Sequence, residues 1–235
     1  MINEHPVLTD RFDAVSGPPF PVLQLRRAIL RGLDRVVAQT LIGATRLITC
    51  PRARWIGCEP ENNARIYFAN HTSHLDFLVL WSLFPPKLRP KLRPVAACDY
   101  WQSNGMRQHL AEHVFQSVFV ERRPVDRYLN PIGPLLESLD QSDSLLLFPE
   151  GTRGAGESLR PFRSGIFHLA EARPEIELVP VWIENACRVM PKGSFVPLPL
   201  LCTVTFGPPT RVAAGEDKKL FLDRLQRELQ HVRTL

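Results

Sequence analysis

Arg65-Ile-Tyr-Phe-Ala-Asn-His-Thr-Ser-His-Leu-Asp76, followed by Phe77-Leu-Val-Leu-Trp-Ser-Leu-Phe84, reads as strand, polar turn and helix. Arg65–Ala69 is a short apolar run bounded by polar residues, as strands are. The apolar run from Phe77 predicts a helix over 75–84. A strand that ends here delivers Asn70 and His71 to its carboxyl edge, where open α/β sheets collect their ligands. The same signature recurs on both sides. Runs at Arg54–Gly57, Pro94–Ala97, Ser117–Val120, Ser144–Phe148, Glu177–Ile183 and Cys202–Phe206 read as strands. Helical patterns lie between them at 99–113, 126–139 and 163–172, with a last one at 216–233 carrying Phe221, Leu225, Leu229 and Val232. Strands alternating with helices predict an α/β fold, a mainly parallel or mixed sheet covered by helices.

Before this domain the pattern changes. Residues 1–21 carry Pro6, Pro18, Pro19 and Pro21 with little periodicity and read as an irregular arm. From Val22 to about Thr49, Leu25, Ile29, Leu33, Val36, Val37, Leu41, Ala44 and Leu47 recur at helical spacing, with Arg26, Arg27, Arg31 and Arg35 in the first half. This spacing predicts an N-terminal amphipathic helical arm. Its arginines suit a membrane surface, since anionic lipid attracts each by about 1 kcal/mol; packing on the domain is the alternative.

Composition narrows the classes. The chain has 235 residues, 44% hydrophobic and 23% charged, ordinary values that exclude a disordered chain. At this length a core forms without disulfide or metal staples. No run approaches 18 apolar residues, so no conventional spanning helix is expected, and Met1-Ile-Asn-Glu-His-Pro6 lacks the pattern of a secretory signal. Five cysteines without a C-x-x-C pair argue for a reducing compartment, with Cys187 and Cys202 in apolar, core-like surroundings. Net charge is +5, and 24 of the 29 basic residues are arginine, the better bidentate phosphate ligand. In Pro85–Pro94, Lys87, Arg89, Lys91 and Arg93 would share one side of an extended loop, facing phosphate head groups or solvent. Aromatic residues do not interleave there, which argues against nucleic acid as a partner.

Three stretches carry chemistry. In Asn70-His-Thr-Ser-His-Leu-Asp76 a histidine at the turn and a carboxylate five residues on can fold toward each other as an oriented base. Ser73-x-x-Asp76 also matches a helix capping box, and H-x-x-H-x-D also suits a metal. His109 and His113 are not in the H-E-x-x-H order, and no second ligand cluster is evident. Phe148-Pro-Glu-Gly-Thr-Arg-Gly154 follows another strand. Its Gly151 permits close backbone approach, Thr152 brings a hydroxyl, Arg153 a phosphate fork, and Glu150 an acceptor for a substrate hydroxyl or an arginine. Walker spacing is absent. Phe119-Val-Glu-Arg-Arg123 ends a strand in two arginines, for phosphate or for solvent.

In order, these blocks resemble the lysophospholipid acyltransferase family, whose best-known members are 1-acylglycerol-3-phosphate acyltransferases. The N-H-x4-D block is matched by Asn70, His71 and Asp76, the second block by Phe119–Arg122, and F-P-E-G-T-R by Phe148–Arg153. Pro161-Phe-Arg-Ser-Gly165 and Val179-Pro-Val181 come next, in the family's order. The resemblance implies an acyltransferase domain over 51–235 behind an arm and membrane-associating helix over 1–50. It implies transfer of a fatty acyl group from acyl-CoA or acyl carrier protein to a lysophospholipid, above all 1-acylglycerol 3-phosphate. His71 would be the general base and Asp76 its orienting partner. Asn70, Arg122, Glu150, Gly151, Thr152 and Arg153 would bind substrate, with an oxyanion donor near Gly151. No cofactor or metal is implied; the thioester is a co-substrate. The implied partners are the donor, the lipid acceptor and a membrane surface, and the implied location is peripheral, on the cytoplasmic face. Cys98-Asp-Tyr-Trp101 departs from the Lys-x-Glu-Leu pattern common in phosphatidate-forming members, Arg163 stands where Lys is usual, and His74 is shared with members that acylate glycerol 3-phosphate. These departures bear on the acceptor. Glycerol 3-phosphate, another lysolipid, or water in a thioesterase reaction are the alternatives.

Overall fold

A computed structural model describes residues 20–121, 130–154, 158–186 and 200–235. Among the described residues, seven strands form one sheet in the order β1-β7-β6-β2-β5-β3-β4. They are β1 (Arg52–Trp55), β2 (Arg65–Ala69), β3 (Leu92–Ala97), β4 (Val118–Val120), β5 (Ser144–Leu147), β6 (Glu177–Ile183) and β7 (Thr203–Phe206). All neighbours are parallel except β6 and β7. The central strands are buried on both faces, which explains their near-continuous apolar composition.

Alternation along these strands divides the core in two. Tyr67, Ala69, Leu146, Val179 and Val181 face one layer, where α1 (Phe20–Thr49) and α2 (Asp76–Leu83) supply Ile42, Val79, Leu80 and Trp81. Ile66, Phe68, Leu145, Leu147 and Leu178 face the other layer. There α5 (Gly133–Asp140), α6 (Gly165–Ala172) and α7 (Lys218–Val232) contribute Leu135, Ile166, Leu169, Phe221, Leu225 and Leu229. In α7, Phe221, Leu225 and Leu229 recur every fourth position and are fully buried; each such burial contributes about 1.5–3 kcal/mol. The helix starts where the Asp217 carboxylate accepts the Lys219 and Leu220 amides at 2.8 and 3.2 Å.

The chain leaves β2 toward the first layer and β5 toward the second, although β2 and β5 are adjacent, with Phe68 paired to Leu147. That divergence makes the carboxyl edge of the two strands a topological switch point, the usual ligand position in such sheets.

Two expectations are corrected. The single helix expected over 99–113 is three pieces: α3 (Cys98–Trp101), α4 (Gly105–His109) and a π-helical turn, Leu110–Val114. Ser103-Asn104-Gly105 breaks it, because Asn104 leaves the helical region and its side chain accepts the Met106 amide at 2.9 Å. The basic stretch does not present four charges to one side. Arg89 is buried and donates twice to the Phe84 carbonyl just past α2, at 3.2 and 2.8 Å. Arg93 lies within β3 and is paired to Asp143 at 2.6 Å. Only Lys87 and Lys91 of the four remain without such a partner among the described residues.

Candidate active site

Ala69 ends β2, and the residue after it anchors the turn. The Asn70 side chain accepts the Ile183 amide at 2.7 Å and donates to the Ile183 carbonyl at 3.0 Å. Asn70 is thereby sewn to the end of β6 and buried. The side chain is engaged by the neighbouring strand, and it aims the chain at His71.

His71 Nδ1 lies 2.9 Å from Asp76 Oδ2, with the imidazole partly open and Asp76 fully buried. The same oxygen accepts the Thr72 and Ser73 amides at 2.6 and 2.8 Å. Ser73 Oγ accepts the Leu75 amide at 3.3 Å. Half of the capping box is thus present, and one carboxylate oxygen both ties down the turn before α2 and meets the imidazole. Asp76 Oδ1 has no hydrogen-bond partner among the described residues. Phe148 stacks on the His71 ring, with centroids 4.2 Å apart and planes 19° from parallel, so the ring is held by its edge and its face.

The 148–154 turn grips His71 by its backbone. Glu150 Oε1 accepts the His71 amide at 2.9 Å, and the Gly154 amide donates to the His71 carbonyl at 2.7 Å. Glu150 Oε2 accepts the Arg160 amide at 2.9 Å. Glu150 is only 3% exposed, and this carboxylate joins two main-chain segments. Gly151 has φ +71°, and a Cβ there would lie 3.2 Å from Arg163 Cγ. Its amide donates to the Phe148 carbonyl at 3.0 Å and closes the turn. The Thr152 hydroxyl accepts from the Arg160 guanidinium. Arg153 is exposed and makes no ion pair among the described residues. Arg122, Arg123 and Cys187 lie outside the described residues.

Replacing Glu150 with Gln puts an NH2 group against one of two buried amide donors. Glu150→Gln is expected to cost about 1–3 kcal/mol in urea unfolding. Unchanged stability would show that the carboxylate does not bridge the two segments.

Sequence reasoning missed the Phe148 stack and the placement of Tyr100 and Arg107 beside His74. The first signal was the aromatic residue opening Phe148–Arg153; the second had none, since it depends on the break at Asn104. The His74 imidazole is held below the ordinary histidine range by burial, then by Arg153, His71 and Arg107. Among the described residues, no three His, Cys, Asp or Glu side chains are placed to share a metal ion.

An imidazole bound through one nitrogen to a buried carboxylate, at the edge of an α/β sheet, is an arrangement that general-base chemistry can use. Residues 56–184 match the family model described as Acyltransferase, and the chain belongs to that family. It is similar to the 1-acyl-sn-glycerol-3-phosphate acyltransferase of Limnanthes alba, 26% identical over 162 residues, 65% of this chain and 52% of the relative. The Saccharomyces cerevisiae 1-acyl-sn-glycerol-3-phosphate acyltransferase is 30% identical over 135 residues, 53% of this chain and 41% of its own length. The chain thus spans about half the length of the curated relatives it matches. The fold resembles the crystal structure of the 1-acyl-sn-glycerophosphate (LPA) acyltransferase PlsC from Thermotoga maritima, with a TM-score of 0.65 at 17% identity, covering 92% of this chain and 88% of that one.

Proposed function

We propose that this chain transfers a fatty acyl group from an acyl thioester, acyl-CoA or acyl carrier protein, to the hydroxyl of 1-acylglycerol 3-phosphate, forming phosphatidate. The observation that carries the reading is the contact of His71 Nδ1 with Asp76 Oδ2 at 2.9 Å. That oxygen already accepts two amide protons, so it meets Nδ1 as an acceptor, and the proton belongs on Nδ1. Nε2 is left with its lone pair. It takes the proton of the acceptor hydroxyl as the oxygen attacks the thioester carbonyl carbon. Asp76 stabilises the imidazolium. The C–S bond then breaks, and Nε2 returns the proton to the departing sulfur. General-base catalysis supplies typically ~10²–10⁴-fold; positioning of the two bound substrates supplies much of the remainder.

In this reading Asn70, Glu150 and Gly151 shape the site, while Arg153 and Arg122 bind the acceptor's phosphate, the latter on the strength of the motif resemblance. The names of the relatives support the acceptor. A panel of lysophosphatidate, glycerol 3-phosphate and lysophosphatidylcholine with one long-chain acyl-CoA tests it. Phosphatidate should form fastest; preference for either of the others would replace the acceptor and keep the chemistry.

The helical arm belongs to the same proposal. Asp34, Ala38, Leu41, Ile42, Thr45 and Thr49 form the face of α1 turned to the domain. Leu25, Ile29, Leu33, Val36 and Leu47 lie on the opposite face and are between 54% and 79% exposed. No described helix is long and apolar enough to cross a membrane. An exposed apolar stripe on a helix bearing arginines suits a peripheral position on a bilayer, here the cytoplasmic face, with residues 1–50 as the docking arm. Combining Ile29→Asp with Leu33→Asp should weaken binding to anionic vesicles at least about 10-fold, with turnover of short-chain, water-soluble substrates unchanged. Undiminished sedimentation with vesicles would remove this face from the membrane contact.

A further inference from the structure

His74 Nδ1 lies 3.4 Å from the Tyr100 hydroxyl, and the two rings are 6.3 Å apart and 30° from parallel. Tyr100 belongs to α3 and Arg107 to α4. The break capped by Asn104 folds α4 back so that the Arg107 guanidinium sits 4.7 Å from the centre of the Tyr100 ring. His74 is three residues from His71, and Arg153 and Arg107 both act on its charge. Among the described residues, neither arginine is paired with a carboxylate. Glu121 and Asp99 act on Cys98, whose thiol is pushed up by burial first and then by these acids. Stacking on an aromatic ring orients a guanidinium without consuming its five N–H donors. The cluster therefore offers two arginine forks, a phenol hydroxyl and an imidazole beside the proposed base; the anion that does act on His74, Asp76, is buried and engaged by His71, Thr72 and Ser73.

We propose that His74, Tyr100 and Arg107, together with Arg153, form an anion subsite that holds the acceptor's phosphate monoester beside His71. The assignment rests on the acyl-transfer reading above and adds residues outside the motifs that led to it. Arg107 is the principal phosphate ligand, Tyr100 its platform and a hydroxyl donor, and His74 the group that fixes the Tyr100 hydroxyl. Phosphates of the thioester donor share this chemistry, so the test separates the two sources.

Two measurements on the full chain are needed, for wild type, Arg107→Gln, Arg107→Lys and Tyr100→Phe. Calorimetric titration with glycerol 3-phosphate, and separately with CoA, reads binding without turnover. Steady-state kinetics then give KM for lysophosphatidate and for acyl-CoA independently. Losing one charge-assisted contact predicts at least about 10-fold weaker glycerol 3-phosphate binding in Arg107→Gln. The KM for lysophosphatidate should rise by a similar factor, with kcat within about threefold and both CoA affinity and donor KM unchanged. Arg107→Lys should restore part of the loss, because it keeps the charge without the fork. Arg107 is exposed, so unchanged circular dichroism is expected in each variant. The subsite is overturned if glycerol 3-phosphate binds equally to wild type and Arg107→Gln or to neither, or if CoA affinity falls instead. If glycerol 3-phosphate binding depends on Arg107 while wild type fails to acylate lysophosphatidate, the subsite stands and the choice of acceptor falls.

Discussion

His71→Ala is expected to lower turnover at least about 10²-fold and to leave the folded state close to wild type. The two expectations come from different atoms. The imidazole supplies the chemistry, and its removal leaves no described group in its place between Asp76 and Phe148. The connections that brace the site run through the main chain of residue 71, to Glu150 and from Gly154, and alanine keeps both. Asp76 also keeps its Thr72 and Ser73 donors. Thermal unfolding should therefore shift by only a few degrees while kcat collapses. Near-normal turnover in a folded variant would remove His71 from the base role.

Asp76→Asn should be almost as damaging, for a narrower reason. Asp76 Oδ2 receives three hydrogen bonds, whereas Oδ1 receives none from the described residues. An asparagine therefore keeps its oxygen at the crowded position and turns its NH2 toward the empty one; the reverse orientation would set NH2 against two amide donors. Imidazole geometry and tautomer survive, but the negative charge that stabilises the imidazolium is lost. Losses of about 10²–10³-fold are expected in kcat and kcat/KM alike. The buried, unpartnered NH2 adds a stability cost of about 1–3 kcal/mol. A change confined to the acceptor's KM would assign Asp76 to binding rather than to the base.

The parts legible in the sequence were local ones. The bounds of β2 and β6 match those read from their apolar runs, because a strand buried on both faces needs no partner to be recognised. His71 and Asp76 meet across five residues of turn, a distance that motif spacing encodes directly. The contacts that could not be read depend on distant partners. Glu150 bonds the His71 backbone across 79 residues, and Asn70 bonds Ile183 across 113. Only the strand order brings those pairs together, and from sequence both polar side chains looked free for substrate. Arg89 and Arg93 failed for the same reason: α2's carbonyl end and Asp143 capture them. The broken helix differs, since Ser103-Asn104-Gly105 carried a turn signal that the apolar spacing obscured.

The most direct measurement counts three products in one reaction: thiol, free fatty acid and phosphatidate, released from a long-chain acyl-CoA with and without lysophosphatidate. One phosphatidate for each thiol, with almost no thiol when the acceptor is omitted, is the expected result. Thiol matched by free fatty acid, at the same rate with or without acceptor, would contradict acyl transfer and make water the group that His71 activates.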